Sequence, residues 1–186
     1  SGVQPQSETV WRQANKYQVP RMAFINKMDR TGADFARTVD MIRRRLGANP
    51  VPIQLPIGSE DGFRGFIDLV EGRAFVFSAD ETSPLESVPI PEEMREEVNR
   101  YRSHLIEQVA ELDDALLEKY LLGEDMTADE INQALRTGTL NNTIVPVLCG
   151  SALRDKGVHP LLDAVINYLP SPLDSPSVEG IDPDSG

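Results

Sequence analysis

The stretch Met22-Ala23-Phe24-Ile25-Asn26-Lys27-Met28-Asp29 decides the fold, because a short apolar run ends there directly in a polar loop. Such a run is typical of a buried strand in a parallel sheet. The same arrangement recurs far downstream, where the apolar run over 144–149 leads into Gly150-Ser151-Ala152-Leu153. In open α/β sheets, ligands bind at the carboxyl ends of the strands. We therefore expect the two loops to lie together at one edge of a parallel sheet and to form a single binding site.

The side chains of the first loop suit the recognition of guanine. Guanine presents two adjacent donors, the N1–H and the 2-amino group, and the Asp29 carboxylate can accept from both. Adenine lacks the 2-amino group and has an acceptor at N1, and a site built to bond a group strongly rejects an analogue that lacks it. Asn26 can both donate and accept, so it is expected either on the O6/N7 side of the base or as a brace between neighbouring loops. Lys27 is expected to lie along one face of the base, with its ammonium in water.

The second loop supplies the remaining contacts of this predicted site. Ser151 is expected to bond the Asp29 carboxylate and hold its plane, while the backbone N–H of Ala152 approaches the base oxygen. Leu153 is expected to cover a face of the base. Met28 completes the nucleotide-binding motif, and its side chain is expected to point into the core. An ordinary strand-to-helix turn is the alternative for the first loop, since Asn and Asp both favour turns.

From its start to residue 172, the chain resembles the elongation factor G family of bacterial translational GTPases. Its stretches 4–13, 19–34, 46–56, 147–153 and 161–172 carry the resemblance, and NKMDRTGAD and CGSAL are the most specific parts. The resemblance implies an α/β fold, namely the C-terminal half of a Ras-like P-loop GTPase domain with an inserted α+β subdomain. It assigns residues 1–50 and 143–172 to the GTPase domain, 51–142 to the insert and 173–186 to a linker.

The resemblance also implies an activity for a longer parent protein. That protein would bind and hydrolyse GTP during translation elongation and move transfer RNA and messenger RNA on the ribosome. Its cofactors would be GTP or GDP, with Mg²⁺ bound in the full-length protein only. Its implied partners are the stalk proteins of the large ribosomal subunit, through the insert, and ribosomal RNA. Two alternatives remain: a related factor that acts in ribosome recycling or release, and a non-catalytic protein-docking module.

The parts of a GTPase that handle phosphates are not found in this sequence. A phosphate-binding loop requires G-x-x-x-x-G-K-[ST], whose backbone N–H groups hold the phosphates, and the 186 residues contain no such string. Residues 29–32 match D-x-x-G, but they overlap the guanine motif. His104 and His159 lie outside the context of the family's catalytic histidine. We therefore expect no catalytic residue and no Mg²⁺ ligand here, and no GTP hydrolysis by this chain alone.

Composition indicates a cytoplasmic protein without membrane contact. The chain has one cysteine, Cys149, which excludes an internal disulfide and is expected to be buried. The net charge of −12 argues against a large nucleic-acid surface on this chain. Separately, we expect the chain to be a monomer. Either a solvated surface or a basic protein partner accounts for the acidity. The run Arg43-Arg44-Arg45 ends a predicted helix, where cations complement the helix dipole, with a ribosomal contact as the alternative.

Periodicity and turn residues predict the secondary structure between these landmarks. Helices are predicted over 7–17, 33–46, 91–112, 115–122, 127–135 and 158–168. The first is predicted to bury Trp11 and Ala14, and the last Leu161, Leu162, Val165 and Leu169. One edge strand is predicted over 51–57, a hairpin over 65–77 with a two-residue turn at Glu71-Gly72, and a surface loop over 78–89.

Overall fold

The computed structural model describes residues 2–78 and 85–174, which form an α/β structure with two sheets. The helices are α1 (Pro5–Lys16), α2 (Phe35–Leu46), α3 (Arg95–Ala110), α4 (Asp114–Leu122), α5 (Ala128–Leu140) and α6 (Val158–Tyr168). The strands are β1 (Ala23–Ile25), β2 (Pro50–Pro52), β3 (Gln54–Ile57), β4 (Gly65–Asp68), β5 (Arg73–Val76), β6 (Glu86–Val88) and β7 (Val145–Cys149). The mixed α/β class with one parallel and one antiparallel sheet is the predicted one, consistent with a GTPase domain that carries an inserted subdomain.

The parallel sheet has the strand order β1-β7-β2, so the two strands that precede the polar loops are direct neighbours. Ile25 of β1 lies opposite Cys149 of β7, at the carboxyl end of both strands. Every residue of β7 is buried, as expected for a central strand covered on both faces. Cys149 is buried, as predicted, and burial raises the pKa of its thiol. The prediction that the two loops share one sheet edge is confirmed.

The single strand predicted over 51–57 is wrong, because the chain changes sheets at Ile53. β2 pairs with β7 in the parallel sheet, whereas β3 pairs with β4 in the antiparallel one. Ile53 stands between them, and its N–H donates to the carbonyl of Val147 at 3.0 Å. Both β2 and β3 are edge strands of their sheets, as the prolines indicated. The change of sheet falls two residues after the predicted start of the insert.

The antiparallel sheet has the order β3-β4-β5-β6 and contains the predicted hairpin. Its turn is longer than predicted, because the pairing ends at Asp68 and Arg73 and leaves four residues between them. The Asp68 carboxylate accepts from the N–H groups of Val70 and Glu71 at 2.8 and 2.9 Å, and this fixes the longer turn. Residues 79–84 of the predicted surface loop lie outside the described residues. Glu86–Val88 was also predicted as loop, but it is strand β6, paired with β5.

The helix α2 follows the first polar loop and agrees closely with the sequence. It buries Phe35, Val39 and Ile42, and the Asp34 side chain caps its start by accepting from a backbone N–H. Gly47 ends it in the left-handed conformation, with φ of 60°. Two of the arginines at its end are paired: Arg44 with Asp40, and Arg45 with Glu8 of α1.

Helices α3, α4 and α5 lie between β6 and β7 in the sequence. α3 packs against both α4 and α5. The side chain of Asp113 caps α4, and Thr127 with Glu130 forms the predicted capping box of α5. The helix predicted from residue 91 begins as a short 3₁₀ turn over Glu92–Met94, and the α-helix follows at Arg95. One continuous core of buried apolar side chains joins these helices to both sheets.

The buried faces of the first and last helices differ from the prediction. α1 begins two residues earlier than predicted, at Pro5, and buries none of its side chains fully; Trp11 and Ala14 are half-buried. In α6 the buried residues are Ala164 and Tyr168, whereas Leu162 and Val165 are exposed. The Tyr168 ring is buried because its hydroxyl has a partner, the Asn132 side chain of α5, at 2.5 Å.

The end of the described chain is a short 3₁₀ turn over Pro172–Asp174. Residues 175–186 of the predicted linker lie outside the described residues. Within residues 2–78 and 85–174, none of the helices is long and apolar enough to cross a membrane.

Candidate functional site

The two polar loops are joined to each other through the main chain at the carboxyl ends of β1 and β7. The N–H of Gly150 donates to the carbonyl of Ile25 at 3.1 Å, and the N–H of Met28 donates to the carbonyl of Gly150 at 3.0 Å. Residues more than 120 positions apart are therefore held in a fixed relation at the strand ends. The geometry brings the two loops together at one edge of the sheet, as the sequence predicted.

Asn26 ties the loops together with its side chain. Its Oδ1 atom accepts from the N–H of Lys27 at 2.7 Å and from the N–H of Ala152 at 3.0 Å. The Ala152 N–H was predicted to face a base oxygen, but here it is engaged by Asn26. A base oxygen that approached Ala152 would share or replace this bond. Lys27 has φ of 62°, a left-handed conformation that the hydrogen bond from its N–H to Asn26 helps to hold.

Asp29 is the partly buried acidic group of the site. Its side chain is 7% exposed, and its Oδ1 atom accepts from the Ser151 hydroxyl at 2.6 Å. The predicted bond between Ser151 and Asp29 is thus present. The other oxygen, Oδ2, lies 3.1 Å from Nε of Arg154 in an ion pair. Protein groups on the second loop therefore contact both carboxylate oxygens.

These contacts set the charge of Asp29. The hydrogen bond from Ser151 is the largest influence, and it holds the pKa of Asp29 below the ordinary value for an aspartate. Burial acts in the opposite direction, while the positive charges of Arg154 and Arg30 lower the pKa further. A carboxyl group with a lowered pKa is ionised at neutral pH, so Asp29 is an acceptor and not a donor there.

The other predicted residues of the site divide into exposed and buried ones. Leu153 is 84% exposed, and Lys27 is also exposed. Lys27 follows Asn26 in the sequence, and Leu153 follows Ala152. Because both side chains are exposed, they can approach a flat ligand at the loops. Met28 is 1% exposed, so its side chain packs in the core and only its backbone faces the loops.

Sequence reasoning missed three residues that support the site. Arg154 contacts Asp29, as described above. The Glu60 side chain accepts from the N–H of Gly32 at 2.7 Å, and the N–H of Glu60 donates to the carbonyl of Met28 at 2.8 Å. The carbonyl of Lys156 accepts from the N–H of Ser151 at 2.8 Å, and the Lys156 ammonium donates to the carbonyl of Phe63 at 3.0 Å. These contacts depend on how distant segments approach each other, and the spacing of residues in the sequence carries no signal for them.

A cavity of about 680 Å³ lies beside β1, and its lining comes from α1, β1, the first loop and α2. It includes Trp11, Phe24, Asn26 and Lys27, but not Asp29 or the second loop. The cavity therefore shares Asn26 and Lys27 with the predicted site but does not include the Asp29 carboxylate.

The sequence profile of the family described as "Elongation factor Tu GTP binding domain" matches residues 1–171. The chain belongs to this family of translational GTPases. The carboxylate site thus lies in a domain of a family that binds guanine nucleotides. In the described part of the chain, no group of three or more His, Cys, Asp or Glu side chains is placed to hold a metal ion.

A solved structure is similar to this chain. A protein from Thermus thermophilus, known from a crystal structure, is 33% identical and superposes with a TM-score of 0.82. The alignment covers 94% of this chain and 26% of the Thermus protein. The chain therefore spans about a quarter of the length of the Thermus protein.

Proposed function

We propose that this chain is the guanine-recognition part of a longer translational GTPase of the elongation factor G type. The longer protein would use GTP to move transfer RNA and messenger RNA during elongation. The observation that carries the proposal is the nearly buried carboxylate of Asp29, which Ser151 holds from the second loop. The family assignment and the short span relative to the Thermus protein support it.

Asp29 gives the site its preference for guanine. An ionised carboxylate can only accept hydrogen bonds, and guanine presents two donors side by side, at N1 and at the 2-amino group. Adenine would place the N1 lone pair against the carboxylate. Because an unpaired buried acceptor carries its full desolvation cost, adenine would bind far more weakly.

The remaining loop residues would orient the base. Asn26 and Ala152 lie together, 3.0 Å apart at their hydrogen-bonding atoms, and would serve the O6/N7 side. The exposed side chains of Lys27 and Leu153 would cover the two faces of the ring. Met28 would act through its backbone alone, because its side chain is buried.

Phosphate and Mg²⁺ binding would belong to another part of the longer protein. The 186 residues lack the G-x-x-x-x-G-K-[ST] string, and phosphoryl transfer depends on groups that position the phosphates. In this proposal residues 1–50 and 143–172 belong to the GTPase domain, 51–142 to the insert and 173–186 to a linker. The protein would act in the cytoplasm, and this chain by itself would be a monomer.

We expect the purified chain to release no phosphate from GTP above the buffer background. A longer chain that also contains the phosphate loop is expected to hydrolyse GTP and to be stimulated by ribosomes. Phosphate release at saturating GTP measures both. Turnover by the chain alone that is lost in the Asp29→Asn variant would contradict this division of labour.

In the longer protein, the insert would dock on the ribosome. Helix α4 exposes several large apolar side chains along its length, namely Leu117, Tyr120, Leu121 and Leu122. Exposed apolar side chains that lie close together favour a protein partner. The family resemblance implies that this partner is a stalk protein of the large ribosomal subunit, with ribosomal RNA contacted by the rest of the longer protein.

The Leu121→Asp substitution is expected to reduce stalk-stimulated GTP hydrolysis by the longer protein about fivefold or more, as loss of an interface anchor does. Ile166→Asp is the matched control, because Leu121 and Ile166 are each 75% exposed and Ile166 lies on α6, outside the insert. Hydrolysis is measured with isolated stalk protein below saturation. Equal losses in the two variants would contradict docking through α4.

A further inference from the structure

The Arg154 side chain forms an ion pair with the carboxylate that we assign to base recognition. Its Nε atom lies 3.1 Å from Oδ2 of Asp29, while the Ser151 hydroxyl donates to Oδ1 at 2.6 Å. The two partners of Asp29 differ in their exposure to solvent. The Ser151 side chain belongs to a buried residue, whereas the Arg154 side chain is 62% exposed. Ser151 is thus a fixed support of the carboxylate, and Arg154 is a partner that can leave.

The guanidinium of arginine and the recognised edge of guanine have similar chemistry. Each presents N–H donors from nitrogens bonded to one carbon, in one plane, and such a pair matches the geometry of a carboxylate. The N1–H and 2-amino group of guanine would therefore approach the same oxygen that Arg154 holds. A carboxylate oxygen can accept two hydrogen bonds, but a planar base and a planar guanidinium that approach the same side of Oδ2 compete for it.

The loop backbone does not need to move when Arg154 leaves. Ala152–Arg154 forms a short 3₁₀ turn, and the N–H of Arg154 donates to the carbonyl of Ser151 at 3.0 Å. The exposed side chain can rotate into water while this turn keeps Ser151 and Ala152 in place. Displacement of Arg154 is thus a side-chain event at a preformed site.

We propose that Arg154 competes with guanine for the Asp29 carboxylate. In the base-free protein it pairs with the carboxylate through its side chain, and guanine displaces it. This inference rests on the proposed function, since it requires that Asp29 bind the base. As a result of this competition, Arg154 lowers the affinity for guanine nucleotides. It also keeps the Asp29 carboxylate paired when no base is bound.

The test is the Arg154→Gln variant of the longer protein, with GDP as the probe. Because an ion pair with an exposed partner contributes modestly, loss of the competitor is expected to lower the Kd for GDP about two- to fivefold. Arg30→Gln is the matched control, since Arg30 is exposed, lies on the first loop and acts on the Asp29 charge through space. That control is expected not to lower the Kd for GDP.

A double-mutant comparison separates competition from a general structural effect. In the Asp29→Asn background no carboxylate remains to pair with Arg154, and the suitable probe is XDP, since its 2-oxo group suits an amide. Adding Arg154→Gln to this background is expected to leave the Kd for XDP unchanged, because Arg154 acts only through the Asp29 carboxylate; such non-additivity is what residues in contact show. An equal tightening in both backgrounds would overturn the proposal.

The possible failures are distinguishable. If Asp29→Asn leaves the ratio of the Kd values for GDP and XDP unchanged, the assignment of Asp29 to the base is wrong, and the competition with it. If that ratio shifts but Arg154→Gln raises the Kd for GDP or leaves it unaltered, only the competition is overturned. A raised Kd would then mean that Arg154 supports Asp29, and an unaltered Kd that Arg154 has no part in base binding.

Discussion

The Asp29→Asn substitution is expected to change the base preference of the longer protein from guanine to xanthine. The amide of asparagine would present a donor to the donors of guanine, whereas the 2-oxo group of xanthine would accept from it. Hydrogen bonds to charged groups contribute about 1.5–3 kcal/mol each. For two such bonds, the ratio of the Kd values for GDP and XDP is expected to change roughly 10²- to 10⁴-fold.

Equilibrium binding of GDP and XDP to the longer protein measures this ratio. Asp155→Asn is the control, since it makes the same chemical change at an exposed position beside the site. Asp155 has φ of 52°, a conformation that asparagine also tolerates. The role of Asp29 is contradicted by an unchanged ratio, or by an equal shift in the control variant.

The Gly150→Ala substitution is expected to destabilise the chain by about 3 kcal/mol, at the upper end of the usual cost of overpacking. A Cβ atom at Gly150 would lie 2.4 Å from the carbonyl oxygen of Lys156 and 2.5 Å from the Phe24 ring. The oxygen belongs to the backbone and cannot rotate away. Relief of the clash would separate the loops, so the hydrogen bond between the Met28 N–H and the Gly150 carbonyl would also weaken.

Urea unfolding of the chain, followed by circular dichroism, measures the loss of stability. Gly62→Ala serves as the control, because a Cβ there meets nothing within 4 Å and Gly62 does not have a positive φ. Its unfolding midpoint is expected to stay close to that of the parent sequence. Midpoints that coincide for the two variants would show that the loops tolerate a side chain at Gly150.

The sequence was sufficient to predict the centre of the fold and the contact of Ser151 with the Asp29 carboxylate. A short apolar run followed by polar residues has few stable placements other than a buried parallel strand with its loop at the sheet edge. That pattern predicted the neighbouring positions of β1 and β7. The bond between Ser151 and Asp29 followed once the loops were paired.

The features that were predicted wrongly depend on contacts between distant segments. The alternation over 51–57 continues without interruption, so the change of sheet at Ile53 cannot be seen in it. Helix α6 is apolar on several faces, and its amphipathicity does not single out Tyr168 as the buried side. The position of Arg154 depends on the turn after Ala152, which bends the chain back toward Asp29.

The two main-chain bonds that connect Ile25, Met28 and Gly150 have an evolutionary consequence. Bonds between backbone groups persist through side-chain replacements that keep the N–H and fit the available space. The spacing of the site is therefore inherited separately from its ligand preference. A single codon change at position 29 could give a new preference while the surrounding architecture is preserved.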